Sequence, residues 1–272
     1  MTDPTRQVTD DRPTPVLFVS HGSPMTALEP GAAGARWASL AAELPRPRAV
    51  LVASAHWETE LPMLTGATRP TTIHDFGGFP EALYAVQYPA PGAPEVAAES
   101  VRLLKAAGFT AAIDGCRGLD HGVWVPLMHM WPDHDVPVVQ ISLQPGLGTA
   151  HHVALGRALA PLARQGVLIV GSGHATHNLR DWMQARRAGA PLPYVEAFAE
   201  WLAQSLDRHD DQALVAWQER GPEALRAHPS DEHFLPLLVA YGAAGAASSV
   251  ERVHREVVGG ALSMDAYRFV PV

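Results

Sequence analysis

Short apolar runs that break off at polar turns alternate along this chain with stretches of helical spacing. Val16 to Val19 (VLFV) predicts a buried strand, closed by the turn Ser20-His21-Gly22-Ser23-Pro24. The pattern recurs where Ala49 to Ala55 (AVLVASA) runs into His56, and where Val167 to Val170 (VLIV) runs into Gly171-Ser172-Gly173-His174-Ala175-Thr176-His177. Val136 to Leu143 predicts a further strand, Leu61 to Thr65 a short one, and Val250 to Val258 and Tyr267 to Val270 two late ones. Helical spacing covers Gly34 to Leu44, with Trp37 and Leu40 on one face and Pro45 and Pro47 closing it. It returns over Pro94 to Ala107, Val123 to Trp131, Thr149 to Arg164 and Pro193 to Leu206, with short helices at Ala213 to Trp217 and Pro222 to Ala227. Ser230, followed by Asp231 and Glu232, predicts the N-cap of a helix that continues through Leu235 to Tyr241. Thr71 to Pro91 has no clean period and predicts an ordered aromatic loop. In it, Asp75, Phe76 and Tyr84 either wall a substrate pocket or pack the loop against the sheet.

Strands alternating with helices predict a single α/β domain over residues 15–272, with a central mixed, largely parallel sheet flanked by helices. Residues 1–14 are polar and read as a mobile N-terminal tail. In open α/β sheets ligands bind just beyond the carboxyl ends of the strands. Three apolar strands that each run into histidine therefore predict one site assembled from several strand ends.

Composition narrows the function classes. The 272 residues are 47% hydrophobic, enough for a sizeable core, and the formal net charge is -8 with no basic run of five, which argues against nucleic acid as a partner. No apolar stretch reaches the roughly 18 residues of a membrane span, and no secretion signal precedes the first strand. The single cysteine, Cys116, rules out an internal disulfide and fits a reducing, cytoplasmic setting.

The 14 histidines carry the candidate chemistry. None forms HExxH, so the evidence for a metal is positional: imidazole is the commonest metal ligand, and His21, His56, His177 and His233 lie at ends of predicted elements. Taken singly, each also reads as a hydrogen-bonded structural histidine. Gly171-Ser172-Gly173 is not a phosphate loop, because GxxxxGK[ST] and GxGxxG are both missing, and Ser23 and Ser172 lack a GxSxG elbow. His151, His152 and His254 read as surface residues, and His129 and His134 as structural.

Seven motifs in order, VLFVSHGSP, SAHWE, HDFGGFPEALY, GLDHGVWVPL, GSGHATHNLR, DEHFLPL and SMDAYRF, run from about residue 16 to the C-terminus. Together they resemble the extradiol ring-opening dioxygenases of the 4,5-DOPA dioxygenase type, which are similar to the catalytic subunit of protocatechuate 4,5-dioxygenase. The resemblance implies one divalent metal ion held by His21 (in SHGSP), His56 (in SAHWE) and His233 (in DEHFLPL). In the protocatechuate branch the third ligand is a glutamate; here Glu232 is adjacent, but the motif aligns on His233. It implies His177 (in HATHNLR) as acid/base and as an outer or fourth ligand, and His121 (in LDHGVW) as a second pocket histidine. His174 departs from the family pattern and reads either as a further pocket histidine or as structural. Oxygen chemistry needs a redox-active metal, so Fe(II) is expected in the working enzyme, while Zn(II) would also suit a three-histidine site in a purified sample.

The expected activity is ring opening of a catechol with O2. The alternatives are a zinc-dependent hydrolase on the same scaffold and a metal-binding protein without turnover. Acid/base candidates His121 and His177 beside the metal histidines exceed what storage needs. The expected partners are a small aromatic catechol and O2, with no nucleic acid or membrane, in a monomer or small homo-oligomer. Arg117 and Arg180 are the candidates for holding a substrate carboxylate.

Overall fold

A computed structural model describes residues 13–187 and 190–271. Strand β1 (Val16–Ser20) leads to helix α1 (Gly31–Glu43), β2 (Ala49–Glu58) and β3 (Met63–Thr65). An irregular segment then carries α2 (Glu81–Tyr84) and is followed by α3 (Pro94–Ala106), β4 (Ala112–Asp114), α4 (His121–Met130) and β5 (Val138–Leu143). Next come α5 (Gly148–Leu159), β6 (Val167–Gly173), α6 (Leu179–Ala185), α7 (Pro193–Asp207), α8 (Asp211–Val215), α9 (Trp217–Arg220) and α10 (Ala224–Ala227). The chain closes with α11 (Leu235–Ala244), β7 (Ser249–His254), β8 (Val257–Val258), β9 (Leu262–Ser263) and β10 (Ala266–Val270).

Eight of these strands form one sheet in the order β4-β3-β5-β2-β6-β1-β10-β7. Its central strands β5, β2, β6 and β1 are mutually parallel, while β10 pairs antiparallel with β1, β7 with β10, and β3 with β5. This is the mixed, largely parallel sheet expected. Helices cover both faces. Val16 and Phe18 join one core with residues of α3, α5, α7 and α11, and Leu17 and Val19 join the other with Trp37 and Trp124. A strand buried on both faces reads as an unbroken apolar run, which is why β1, β2, β5 and β6 were legible without alternation.

The expected tail lies outside the described residues up to position 12. Thr14 belongs to the domain: it is buried, and its hydroxyl donates to the Val167 carbonyl at 2.7 Å. Other boundaries differ from expectation for local reasons. Strand β2 does not stop at Ala55 but continues through His56 to Glu58, after an irregularity in its pairing with β5. Strand β6 continues through Gly171-Ser172-Gly173; Gly171 and Ser172 pair with both β1 and β2, and Gly173 with β1. The helix expected from Ser230 starts at Leu235. The turn before it closes on the Asp231 carbonyl, which accepts from Phe234 N at 2.8 Å and Leu235 N at 3.0 Å, and Ser230 is exposed. Val250 to Val258 splits into β7 and β8. His152, expected on the surface, is fully buried and accepts a hydrogen bond from Gln144 N at 3.1 Å.

Candidate metal centre

The parallel strands β2, β6 and β1 are neighbours, so their carboxyl ends meet. His21 follows β1 directly, and Gly22, in the left-handed region (φ +74), turns the chain back beneath it; a Cβ there would meet Thr26 Oγ1 at 2.8 Å. His56 stands in β2, four strand residues after Val52. His233 arrives on the turn before α11, which lies close against β6 because Gly173 has no side chain. A Cβ on Gly173 would sit 2.1 Å from the His233 carbonyl, which accepts from His174 N at 2.9 Å. His121 opens α4, whose first turn approaches β2 through Gly122; a Cβ there would meet Ser54 Oγ at 2.4 Å and His56 Cδ2 at 3.1 Å.

Together with the segment after β6 that carries His177, these four elements bring all five expected histidines into one cluster. The His21 ring centroid lies 5.0 Å from that of His56, 5.3 Å from His121 and 5.4 Å from His233, and His56 lies 5.0 Å from His233. His177 stacks on His233 with centroids 3.5 Å apart and planes 13° apart. His21 Nε2 and His56 Nε2 face each other at 3.1 Å. Two ring nitrogens approach this closely only with a hydrogen or a cation between them. One nitrogen each of His21, His56 and His121 fall within 4.8 Å of one another, as do donor atoms of His177, Glu232 and His233. The expected triad of His21, His56 and His233 draws on both sets.

Partners on the far side fix which nitrogens face inward. The Asp75 carboxylate accepts from the His121 backbone N and from His121 Nδ1, both at 2.9 Å, and stands 3.5 Å from His56 Nδ1. Glu232 accepts from His233 Nδ1 at 2.8 Å. A carboxylate only accepts, so His121 and His233 each carry a hydrogen on Nδ1 and turn Nε2 inward. His21 Nδ1 faces Ser172 Oγ at 3.0 Å.

Burial dominates the electrostatics. It lowers the pKa of His21 and His233 well below the ordinary value of 6.5, and that of His56 to about 3, with neighbouring histidines adding to the effect. His177 is lowered to about 2 and His174 to about 4, again chiefly by burial. Burial pushes the Asp75 carboxyl up, but the His121 hydrogen bonds and the His121 and His56 rings outweigh it and hold it at about 2. Neutral imidazoles with inward lone pairs are the form that binds a metal, so the donor set fits a divalent cation.

Asp75 does not simply wall a pocket; it orients His121. Phe76 packs edge-on to His121 at 5.7 Å and against Tyr84 at 5.4 Å, so these rings border the cluster on that side. His174 caps the turn by accepting from Gly22 N at 3.1 Å. Arg117 reaches the His56 carbonyl at 3.2 Å and Asp120 at 3.5 Å, behind the ring of histidines. His129 bonds the Thr26 carbonyl at 2.8 Å and is structural, as expected. His228 was missed; it is buried among Phe198, Trp217 and Phe234 and bonds the Ala175 carbonyl at 3.0 Å.

Residues 15–269 match the family model of the catalytic LigB subunit of aromatic ring-opening dioxygenase. The chain belongs to this family. As a LigB protein it is a metal-dependent ring-opening dioxygenase, and its histidine cluster makes a three-histidine metal site possible. It is 42% identical over 264 residues to a 4,5-DOPA dioxygenase extradiol from Beta vulgaris, covering 96% of this chain and 98% of that protein. It is 40% identical over 232 residues to the 4,5-DOPA dioxygenase extradiol of Escherichia coli K12, covering 84% of each. A crystal structure of an uncharacterised Escherichia coli K12 protein, 34% identical, superimposes with a TM-score of 0.79 over 94% of this chain and 99% of that one. These similarities give the zinc-hydrolase alternative no support. Among the described residues, no helix is long and apolar enough to cross a membrane.

Proposed function

We propose that this LigB dioxygenase is an Fe(II)-dependent extradiol enzyme that opens a catechol ring of the DOPA type, the substrate class in the names of its relatives. The observation that carries the reading is the 3.1 Å approach of His21 Nε2 to His56 Nε2 inside a ring of neutral histidines. His21, His56 and His233 are assigned as ligands of one divalent ion, with Glu232 holding His233 from outside. When bound, such an ion lowers the pKa of a catechol hydroxyl and, as iron, supplies the redox chemistry that dioxygen requires. The single exposed cysteine supports a reducing, cytoplasmic setting for that iron.

The chain's own residues supply the proton transfers. His177 is neutral in its buried position and can accept a hydroxyl proton as the catechol binds. An anionic catecholate against the ring opposes the depression of its pKa and stabilises the imidazolium. The same histidine can return the proton to a product oxygen. His121, held by Asp75 with Nε2 inward, is placed to accept from a second hydroxyl. The half-buried ring of Phe76, edge-on to His121, borders the cluster on that side, with the exposed ring of Tyr84 against it.

Anaerobic loading with Fe(II), followed by oxygen uptake on a panel of catechols including DOPA, tests the reading. One O2 consumed per catechol, with a ring-opened chromophore, is the expected result. Metal bound without oxygen uptake on any catechol contradicts it.

A further inference from the structure

The segment Gly171-Ser172-Gly173 has a use beyond letting α11 approach the sheet. Pro126 lies inside α4 and has no backbone hydrogen, so the carbonyl of Gly122, four residues earlier, receives no helical hydrogen bond. An unpaired buried carbonyl costs free energy. Ser172 relieves it: its hydroxyl, on the face of β6 opposite to Gly171 and Gly173, donates to Gly122 O. A serine hydroxyl has one hydrogen. With that hydrogen committed to Gly122, the oxygen that faces His21 Nδ1 at 3.0 Å can only accept. His21 must then hold its ring hydrogen on Nδ1 and turn a bare Nε2 toward His56. Ser172 is fully buried, so water does not offer the ring another partner.

We infer that Ser172 is a positioning residue that fixes the tautomer of His21, and that Pro126 sets the direction of its hydrogen bond. A proline in a helix thereby orients a ring on another element. Asp75 and Glu232 impose the same tautomer on His121 and His233 by charge. For His21 a neutral hydroxyl does so, and only because Gly122 O is left open. The inference rests on His21 being a ligand, as proposed above.

The test uses the full chain, metal-free and then titrated with Zn(II) alone against a chromophoric chelator. Nitrogen-15 NMR of the metal-free wild type should show His21 as the Nδ1–H tautomer at neutral pH; an Nε2–H tautomer overturns the inference without any variant. Ser172→Ala should weaken Zn(II) binding roughly 10–100-fold, the usual effect of removing a partner of a ligating histidine. Pro126→Ala restores a backbone hydrogen that competes for Gly122 O, frees the Ser172 hydrogen to point at His21, and should move part of the population to Nε2–H with a smaller loss of affinity. Ser172→Ala should then cost less affinity in the Pro126→Ala background than in the wild type. Equal costs in both backgrounds, or unchanged affinity in Ser172→Ala, overturn the inference. His21→Ala separates the two claims. If it keeps full Zn(II) affinity, the ligand assignment itself fails. If it loses the metal while Ser172→Ala does not, only the role of Ser172 fails.

Discussion

His177 lies flat on His233, yet among the described residues no carboxylate or backbone group is hydrogen-bonded to its ring in the way Glu232 is to that of His233. A ligand held from outside and a ring free to exchange a proton are different jobs, and the contacts divide them in this way. His177→Ala is therefore expected to retain its metal while turnover falls about 10²–10⁴-fold, the usual contribution of a general acid/base. Metal analysis alongside oxygen uptake checks this, and loss of the metal would make His177 a ligand. His21, His56 and His177 were legible in the sequence because each lies just past the abrupt end of an apolar run, whereas His121 and His233 stand before apolar runs and were singled out by the family resemblance. Their outward partners were not. Asp75 sits in a loop with no period and reaches His121, 46 residues on, only through the path of the loop. Ser172 looked like part of a turn until β6 was seen to extend through it.

At the scale of elements, the site depends on close approaches that only glycine permits. Gly173 and Gly122 let α11 and α4 bring His233 and His121 over the ends of β6 and β2. Gly156 and Gly242 do the same where α5 crosses α11: a Cβ on Gly156 would lie 2.0 Å from the Val239 carbonyl, and one on Gly242 2.1 Å from the Val153 carbonyl. Gly173→Ala must push the His233 turn away from the sheet. Overpacking of this kind costs about 1–3 kcal/mol, and the turn it displaces carries the proposed ligand His233, so both stability and metal affinity should fall. Chemical denaturation of the metal-free and loaded forms measures the two losses separately. The glycines were visible in the sequence, but their purpose was not. GSG invites a phosphate-loop reading until the carbonyls opposite Gly171 and Gly173 are seen to be those of Pro236 and His233. The start of α11 was misplaced for a related reason, since Ser230 and Asp231 carry a cap signal while the backbone turn closes one step later.

Across the whole molecule, the buried neutral histidines make stability depend on pH. His152 and His228, which are not among the proposed ligands, have pKa values lowered by burial to about 4 and about 3, against 6.5 when unfolded. Below 6.5 the unfolded chain takes up protons that the folded chain refuses. Their contribution is thus complete above pH 6.5 and is lost as pH falls toward 4 and 3. Each such histidine costs about 1.4 kcal/mol per pH unit within its window. Denaturant midpoints of the metal-free protein should be flat above pH 7 and drop steeply below pH 6 (about half a unit on either side of the unfolded-state value); a midpoint that rises on acidification would contradict the buried-neutral assignment. A bound metal adds its own stabilisation by mass action, about 2.7 kcal/mol at a free concentration 100 times Kd. A largely parallel sheet flanked by helices was foreseeable from the strand runs, whereas the strand order and the antiparallel addition of β10 and β7 beside β1 were not, because nothing local in a strand names its neighbour.

The central claim is that His21, His56 and His233 together hold one divalent ion. The most direct test is a crystal structure of the Fe(II)-loaded protein with data collected at the iron absorption edge. One anomalous peak per chain is expected, bonded to Nε2 of all three residues, with Asp75 and Glu232 outside the coordination sphere. A peak held by His177 and Glu232, or one that leaves out His233, would contradict it.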